Sequence, residues 1–232
     1  MKEIPDGSVD MILTDPPFGT TRNKWDVIIP LEPMWDRIWK CLKPNGVAVI
    51  CTSQPFTSIL VCSQIKHFKT EWVWVKNKGS GHLNSKIMPM KFHETLQVFY
   101  KQCPTYNPQM TDGHQEVEYS QKGKQSENYG EVKLAHYKSG TQRHPRNILE
   151  IPVVNNDGTG DGRYHPTQKP VALMEYLIKT YTNKGDIVVD FAFGSCTVGV
   201  AAKNLNRSFI GIEKDETYFD LGKERTTDSP WM

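Results

Sequence analysis

The segment that begins Ile187-Val188-Val189-Asp190 constrains the fold more tightly than any other part of the sequence. Three consecutive β-branched apolar residues leave no polar alternate to face solvent. They form a strand buried on both faces, as a parallel sheet requires. Phe191-Ala192-Phe193-Gly194-Ser195-Cys196-Thr197 follows as a tight loop, and Val198, Ala201, Ala202 and Leu205 recur at helical spacing. Phe209-Ile210-Gly211-Ile212-Glu213 supplies a second strand. Parallel neighbours are joined only by a crossover, so this order makes a right-handed βαβ unit.

The amino-terminal third alternates in the same way. Leu31, Met34, Trp35, Ile38 and Leu42 mark a helix that Lys43-Pro44-Asn45-Gly46 stops. Val47 to Cys51 reads as another buried strand, and Thr52 and Ser53 are placed to cap a helix through Ile59, Leu60 and Ile65. Trp72 to Val75 and Thr95 to Tyr100 read as strands, while Leu173, Leu177, Ile178 and Tyr181 mark a later helix. The expected architecture is a Rossmann-like α/β domain, with a mainly parallel sheet and helices on both faces. A chain of 232 residues is long enough for one such domain. Between Lys101 and Glu150 the periodicity lapses. Residues 102–146 are therefore expected to form an irregular insertion between two halves, 1–101 and 147–232.

In open α/β sheets, ligands bind beyond the carboxyl ends of the strands, where Asp190 and Glu213 both lie. Their separation is roughly that at which an acidic residue reaches a ribose hydroxyl, about 20 residues. Gly194 and Ser195 let a ligand approach the backbone, but there is no G-x-G-x-x-G run and no diphosphate cradle. A nucleoside with an amino-acid tail fits better: Glu213 for ribose, Asp190 near an ammonium, and Lys169 or a helix amino terminus for a carboxylate. S-adenosylmethionine has that chemistry. The plainer readings, a turn at Gly194, a solvated strand end at Glu213 and a surface charge at Lys169, stay open on these residues alone.

Asp15-Pro16-Pro17-Phe18 follows the apolar run Val9 to Thr14, so a strand delivers it to a loop. An acid, two rigid prolines and an aromatic ring suit the holding of a planar amine; an ordinary Pro-rich turn is the alternative. The formal net charge of +2 is too small to argue for nucleic acid, but its distribution is uneven. From Lys66 to Lys101 seven lysines face only Glu71 and Glu94, which reads equally as a phosphate-tracking surface or a solvated face. The five cysteines are scattered, without C-x-x-C or zinc-ligand spacing. No apolar run approaches the roughly 20 residues of a membrane span, and Met1-Lys2-Glu3-Ile4-Pro5 lacks a signal-peptide core. The expectation is a cytoplasmic protein with reduced thiols and no membrane partner.

Taken in order, Asp15-Pro16-Pro17-Phe18, His165-Pro166-Thr167-Gln168-Lys169-Pro170, Asp190 to Thr197 and Ile212-Glu213-Lys214-Asp215 resemble the permuted, beta-class amino-methyltransferases of DNA. The resemblance covers nearly the whole chain except residues 102–146. Asp in the first motif position resembles the adenine-N6 type, and Gly19-Thr20-Thr21 with Lys24-Trp25-Asp26 resembles phage or prophage members. It implies transfer of a methyl group from S-adenosylmethionine to a flipped base, with Asp15, Pro16, Pro17 and Phe18 as the catalytic residues. Asp15 and the Pro16 carbonyl would accept the two amine N–H bonds, and Phe18 would stack on the base. For the cofactor it implies Asp15, Gln168, Lys169, Pro170, Asp190 and Glu213. Phe191, Phe193, Gly194, Ser195 and Thr197 join them from the loop. No metal is implied.

The expected partner is duplex DNA, with a homodimer and a companion restriction endonuclease also compatible. Lys76, Lys78, Lys86, Arg143 and Arg146 are the candidate DNA contacts. Cytosine-N4 chemistry, an RNA substrate and a catalytically weak binding relative stay open as alternatives. Two departures bear on the last of these. Phe191 and Cys196 stand where the family loop carries Pro and Gly, and Cys at a positive-φ position costs on the order of 1 kcal/mol or more. Relatives also begin with a further strand and helix that help line the adenine end of the cofactor.

Overall fold

The computed structural model describes residues 1–121, 125–126, 130–131, 135–154, 164 and 167–226. The elements run β1 (Val9–Thr14), α1 (Leu31–Cys41), β2 (Leu42–Thr52), α2 (Phe56–Ser63), β3 (Phe68–Ser80) and β4 (Lys91–Tyr100). Next come β5 (Val117–Gln121), β6 (Gln125–Ser126), β7 (Gly130–Glu131) and β8 (Ala135–Ser139). The chain closes with β9 (Ile148–Glu150), α3 (Val171–Tyr181), β10 (Ile187–Asp190), α4 (Thr197–Asn204), β11 (Ser208–Gly211) and α5 (Glu216–Thr226). Contacts divide it into two compact units: Met1–Asn107 with Asn147–Met232, and Pro108–Arg146.

In the larger unit seven strands form one sheet in the order β11-β10-β1-β2-β4-β3-β9. β1 is parallel to both β10 and β2, and β10 is parallel to β11. β4 runs antiparallel to β2 and β3, so the sheet is mixed on that side. From β1 the chain moves one way to β2, and from β10 the other way to β11. The adjacent carboxyl ends of β1 and β10 are therefore the topological switch point, where α/β sheets open a crevice.

Both sheet faces are covered, which is why the central strands read as unbroken apolar runs. On one face Leu173, Met174, Leu177 and Ile178 of α3 and Val198, Ala201 and Ala202 of α4 pack against Met11, Leu13, Val47 and Val49. On the other, Met34, Trp35 and Ile38 of α1 and Phe56 and Leu60 of α2 pack against Ile12, Ala48 and Ile50. The capping expectation at Thr52 and Ser53 fails. Pro55 stands at the amino end of α2, while the Thr52 hydroxyl lies 3.0 Å from both Thr57 Oγ1 and Thr95 Oγ1. The helix also ends before Ile65, which is exposed. A side-chain bond to a neighbouring strand satisfied Thr52 better than a local cap.

The smaller unit is more regular than the sequence implied. β5 and β8 pair antiparallel from Val117↔Ser139 to Gln121↔Ala135, and β6 pairs with β7. α5 is a further element that the sequence reading did not mark.

Candidate active site

Because β1 and β10 lie side by side, the loops that leave them meet. Thr14, the last residue of β1, donates its hydroxyl to Asp190 Oδ1 at 2.7 Å, and the Ala192 N–H donates to the same oxygen at 3.0 Å. Asp190 is buried, which pushes its carboxyl up to about 7 against those two hydrogen bonds, with Asp15 and Glu213 adding to the rise. Such a group responds strongly to any cation placed beside it.

Two cavities open from this point. The first, of about 290 Å³, is lined by Asp190, Phe191, Phe193, Gly194, Ser195 and Glu213 among others. Its rim is built from backbone amides gripped by a carboxylate. Glu213 Oε2 accepts the Gly194 N–H at 2.9 Å, and Oε1 accepts those of Lys214 and Asp215 at 2.9 and 3.0 Å. A carboxylate offers about four acceptor sites, so Glu213 keeps capacity for a ligand hydroxyl. Gly194 has φ +50, and nothing lies within 4 Å of where a Cβ would project, so the backbone is open to close approach.

Cys196 adopts φ 58 and ψ 34, the left-handed conformation in which Cys is strained. The turn is held nevertheless: the Cys196 N–H donates to Phe193 O at 2.7 Å and Cys196 O accepts from Val200. The thiol fills the space beside Gly199, where a Cβ would come within 2.5 Å of Sγ. Burial pushes that thiol up to about 12, so it is neutral packing.

The second cavity, of about 480 Å³, lies on the other side of Asp15 and is bordered by Pro16, Phe18, Trp74, Lys76 and Glu94. Asp15, Pro17, Trp25, Thr167, Gln168 and Lys169 line both cavities and form the wall between them. Phe18 borders only the second, with its ring stacked on Phe56 at 5.5 Å.

Buried charge runs along this wall with alternating sign. Lys169 Nζ lies 2.5 Å from Asp15 Oδ2 and 3.2 Å from Glu94 Oε2, and Lys76 Nζ lies 3.0 Å from Glu94 Oε1. Burial alone would lower Lys169, but the two carboxylates hold it above the ordinary lysine range. Glu94 would be raised by burial, yet Lys169 and Lys76 bring it below the usual carboxylate range. Asp15 is raised by burial, with Lys169 opposing and Glu94 adding to the rise. The outcome for Asp15 matters most: Oδ2 is engaged by Lys169, while Oδ1 is buried with no hydrogen-bond partner. A buried acceptor in that state is costly unless something fills it.

The structure thus gathers Asp15, Pro17, Gln168, Lys169, Asp190, Phe191, Phe193, Gly194, Ser195, Thr197 and Glu213 around the first cavity. Pro170 instead forms the buried amino end of α3, and His165 and Pro166 lie outside the described residues. Three expectations change. Lys169 is committed to Asp15 and Glu94 rather than presented as a cation for a ligand carboxylate. Lys76 is buried against Glu94 and is no surface cation. The alternation Trp72, Trp74, Lys76 carried that signal, since residues two apart share a strand face. Arg143 donates to the carbonyls of Gly140, Gln142 and Gln115, so its guanidinium braces its own unit. Lys78, Lys86 and Arg146 are exposed.

Asp26 and Glu94 were missed as site residues. Asp26 accepts the N–H groups of Gly19, Thr20 and Thr21 at 2.8, 2.9 and 2.6 Å. Burial would raise its carboxyl, but these bonds and the Thr21 hydroxyl lower it. It shapes the loop after Phe18, where Gly19 takes φ +67 and a Cβ would meet Ile28 at 2.9 Å. Glu94 is not marked by spacing, because Lys76 and Lys169 are brought to it by folding, whereas Asp26 lies only a short loop away from the amides it accepts.

The sequence profile of the N6/N4 methyltransferase family, described as DNA methylase, matches residues 9–224. The chain belongs to this DNA methylase family. This methylase is 28% identical to the type II methyltransferase M.HpaI of Haemophilus parainfluenzae, over 97% of its own length and 70% of that protein's. It is 29% identical to the DNA adenine methyltransferase YhdJ of Escherichia coli K12, over 97% and 78%. A crystal structure described as the M1.HpyAVI–SAM complex superposes with TM-score 0.62 at 29% identity, covering 94% of this methylase and 89% of that chain. The residues of the first cavity suit S-adenosylmethionine. Gly194 leaves an open cradle, Glu213 keeps acceptor capacity at the cavity edge, and Asp190 is a buried acid whose carboxyl is raised to about 7.

Proposed function

We propose that this DNA methylase transfers a methyl group from S-adenosylmethionine to the exocyclic N6 of an adenine flipped out of duplex DNA. The observation that carries this reading is the pair of cavities meeting at Asp15, whose Oδ1 is a buried acceptor without a partner. Adenine rather than cytosine is supported by Asp at the head of Asp15-Pro16-Pro17-Phe18 and by the likeness to a named adenine methyltransferase.

S-adenosylmethionine, when bound, supplies an electrophilic methyl on a sulfonium sulfur. Gly194, Asp190 and Glu213 would hold it in the first cavity, and Pro17 and Trp25 border both cavities, where methyl and amine must come into contact. Phe18 offers its ring to the flipped base, a contact worth about 1–3 kcal/mol. A base inside a duplex cannot reach such a cavity, so flipping is required. Lys169 fixes Oδ2 of Asp15, leaving Oδ1 to accept an amine N–H and direct the nitrogen lone pair toward the first cavity. The same carboxylate takes the proton that the methylated nitrogen sheds. Most of the catalysis is positioning and electrostatics.

Sequence readout we assign to residues 102–146, and a reducing cytoplasm is supported by five cysteines that are all free thiols. No helix among the described residues is long and apolar enough to cross a membrane. A homodimer and a companion endonuclease rest on the resemblance alone, and light scattering decides the first. The test of function is tritiated methyl incorporation into DNA with mass spectrometry of the nucleosides. The wild type should yield N6-methyladenine. Asp15→Ala should lose about a hundred- to a thousandfold or more in rate while still binding duplex. N4-methylcytosine as the product, or a near-normal Asp15→Ala rate, would overturn the reading.

A further inference from the structure

Four of the exposed large apolar side chains among the described residues fall in the short connection from β3 into β4, Leu83, Ile87, Met88 and Met90, and Phe92 follows at the start of β4. Leu83 and Ile87, at 87% and 79% exposure, are the most exposed of all. The connection is built, not slack. Gly81 takes φ +87 and opens a single 3-10 turn at His82–Asn84, and Asn84 donates its N–H to Gly81 O at 3.0 Å. The Asn84 carbonyl in turn accepts the N–H groups of Ile87 and Met88 at 2.9 and 3.0 Å. The fold thus presents Leu83, Ile87 and Met88 to water on an ordered turn, although exposed apolar area of this kind carries a free-energy cost.

The surroundings say what covers them. From Lys76 to His93 the sequence has Lys78, Lys86 and Lys91 and no Asp or Glu. The partner is therefore a polyanion that also has an apolar interior to offer, which describes stacked bases between phosphate backbones. The base of the same hairpin is continuous with the active site: Lys78, Gly79, Ser80 and Lys91 line the second cavity, where the flipped base is received.

We propose that the β3–β4 tip is the wedge of this enzyme. Leu83, Ile87 and Met88 enter the stack beside the target and occupy the space that the adenine leaves, while Lys86 holds a phosphate. This rests on the reading that the substrate is duplex DNA with a flipped base.

The test uses the full chain and a plasmid that the wild type methylates, prepared both relaxed and negatively supercoiled. The variant carries Leu83→Ser, Ile87→Ser and Met88→Ser together; all three side chains are exposed, so melting temperature and S-adenosylmethionine affinity should not change. On relaxed plasmid its methylation rate should fall at least tenfold. Negative supercoiling favours strand opening, so the supercoiled form should restore several-fold of that loss, while the wild type treats the two forms alike. Lys86→Ala should instead lower the salt slope of binding by about one without this supercoil dependence. An unchanged rate on relaxed plasmid, or an equal loss on both forms, would overturn the wedge. So would a wild-type dimer that the triple variant dissolves, because the tip would then be a self-association surface. A wild type that methylates no DNA at all would instead fail the proposed function on which the wedge rests.

Discussion

The two cavities on either side of Asp15 are made of different materials. The first is walled by backbone: its loops are drawn tight by Glu213, which takes three N–H groups, and by Asp190, which takes the Ala192 N–H and the Thr14 hydroxyl. The second is walled by side chains, with the ion pairs among Asp15, Lys169, Glu94 and Lys76 and the rings of Phe18 and Trp74. Backbone amides have little freedom, so the first suits one rigid small molecule. Side chains and a charged chain of contacts suit a ligand that arrives on a polymer and must leave again. Asp15 belongs to both and lets them act on one atom.

The largest effect that would sharpen this contrast is expected at Lys169. Lys169→Met leaves Asp15 and Glu94 buried near one another without their shared cation. Breaking a buried pair costs about 3–5 kcal/mol, and chemical denaturation should show a loss of that size. Adding Asp15→Asn should recover much of it, since the carboxylate left without a cation is then gone while Glu94 keeps Lys76. A single-variant loss below about 1 kcal/mol would mean that the second wall is not held by charge. Phe18→Ala comes next. It should cost the stacking term of about 1–3 kcal/mol, read as a tenfold to hundredfold fall in kcat/KM for DNA, with S-adenosylmethionine affinity unchanged and Phe18→Tyr near normal. An equal fall in cofactor affinity would break the separation of the cavities.

A third test concerns Asp190 and pH. Its carboxyl is raised by burial to about 7, so the folded protein binds that proton more tightly than the unfolded chain. The stabilisation is fully present below the unfolded value of about 4 and is lost as pH rises through about 7. Thermal unfolding should therefore show a midpoint that declines across that window, and Asp190→Asn should flatten the decline. An identical slope in the variant would show that the first wall does not hold its acid in the neutral form.

Much of the first cavity was legible because its chemistry is local. Asp190, Gly194 and Glu213 sit at strand ends and in one loop, so a βαβ pattern read along the chain places them together. Even the strain at Cys196 was foreseeable, because the turn demands a positive φ that Gly would meet freely. The second cavity was legible only at Asp15, Pro16, Pro17 and Phe18. Glu94 lies far along the chain from Lys169, and no spacing rule links them. Lys76 and Arg143 show the converse error: read as surface cations, they turned out to be held by Glu94 and by backbone carbonyls.

The sequence by itself determined the parallel character of the sheet, the strand-end placement of Asp190 and Glu213 and the order of motifs, because hydrophobic periodicity and turn residues act over a few positions at a time. Tertiary structure alone decided the strand order, with its switch point between β1 and β10, and which charges neutralise one another. Burial strength and ion pairing depend on distances between segments that only the packed sheet brings within reach. That pairing fixed one oxygen of Asp15 and left the other open.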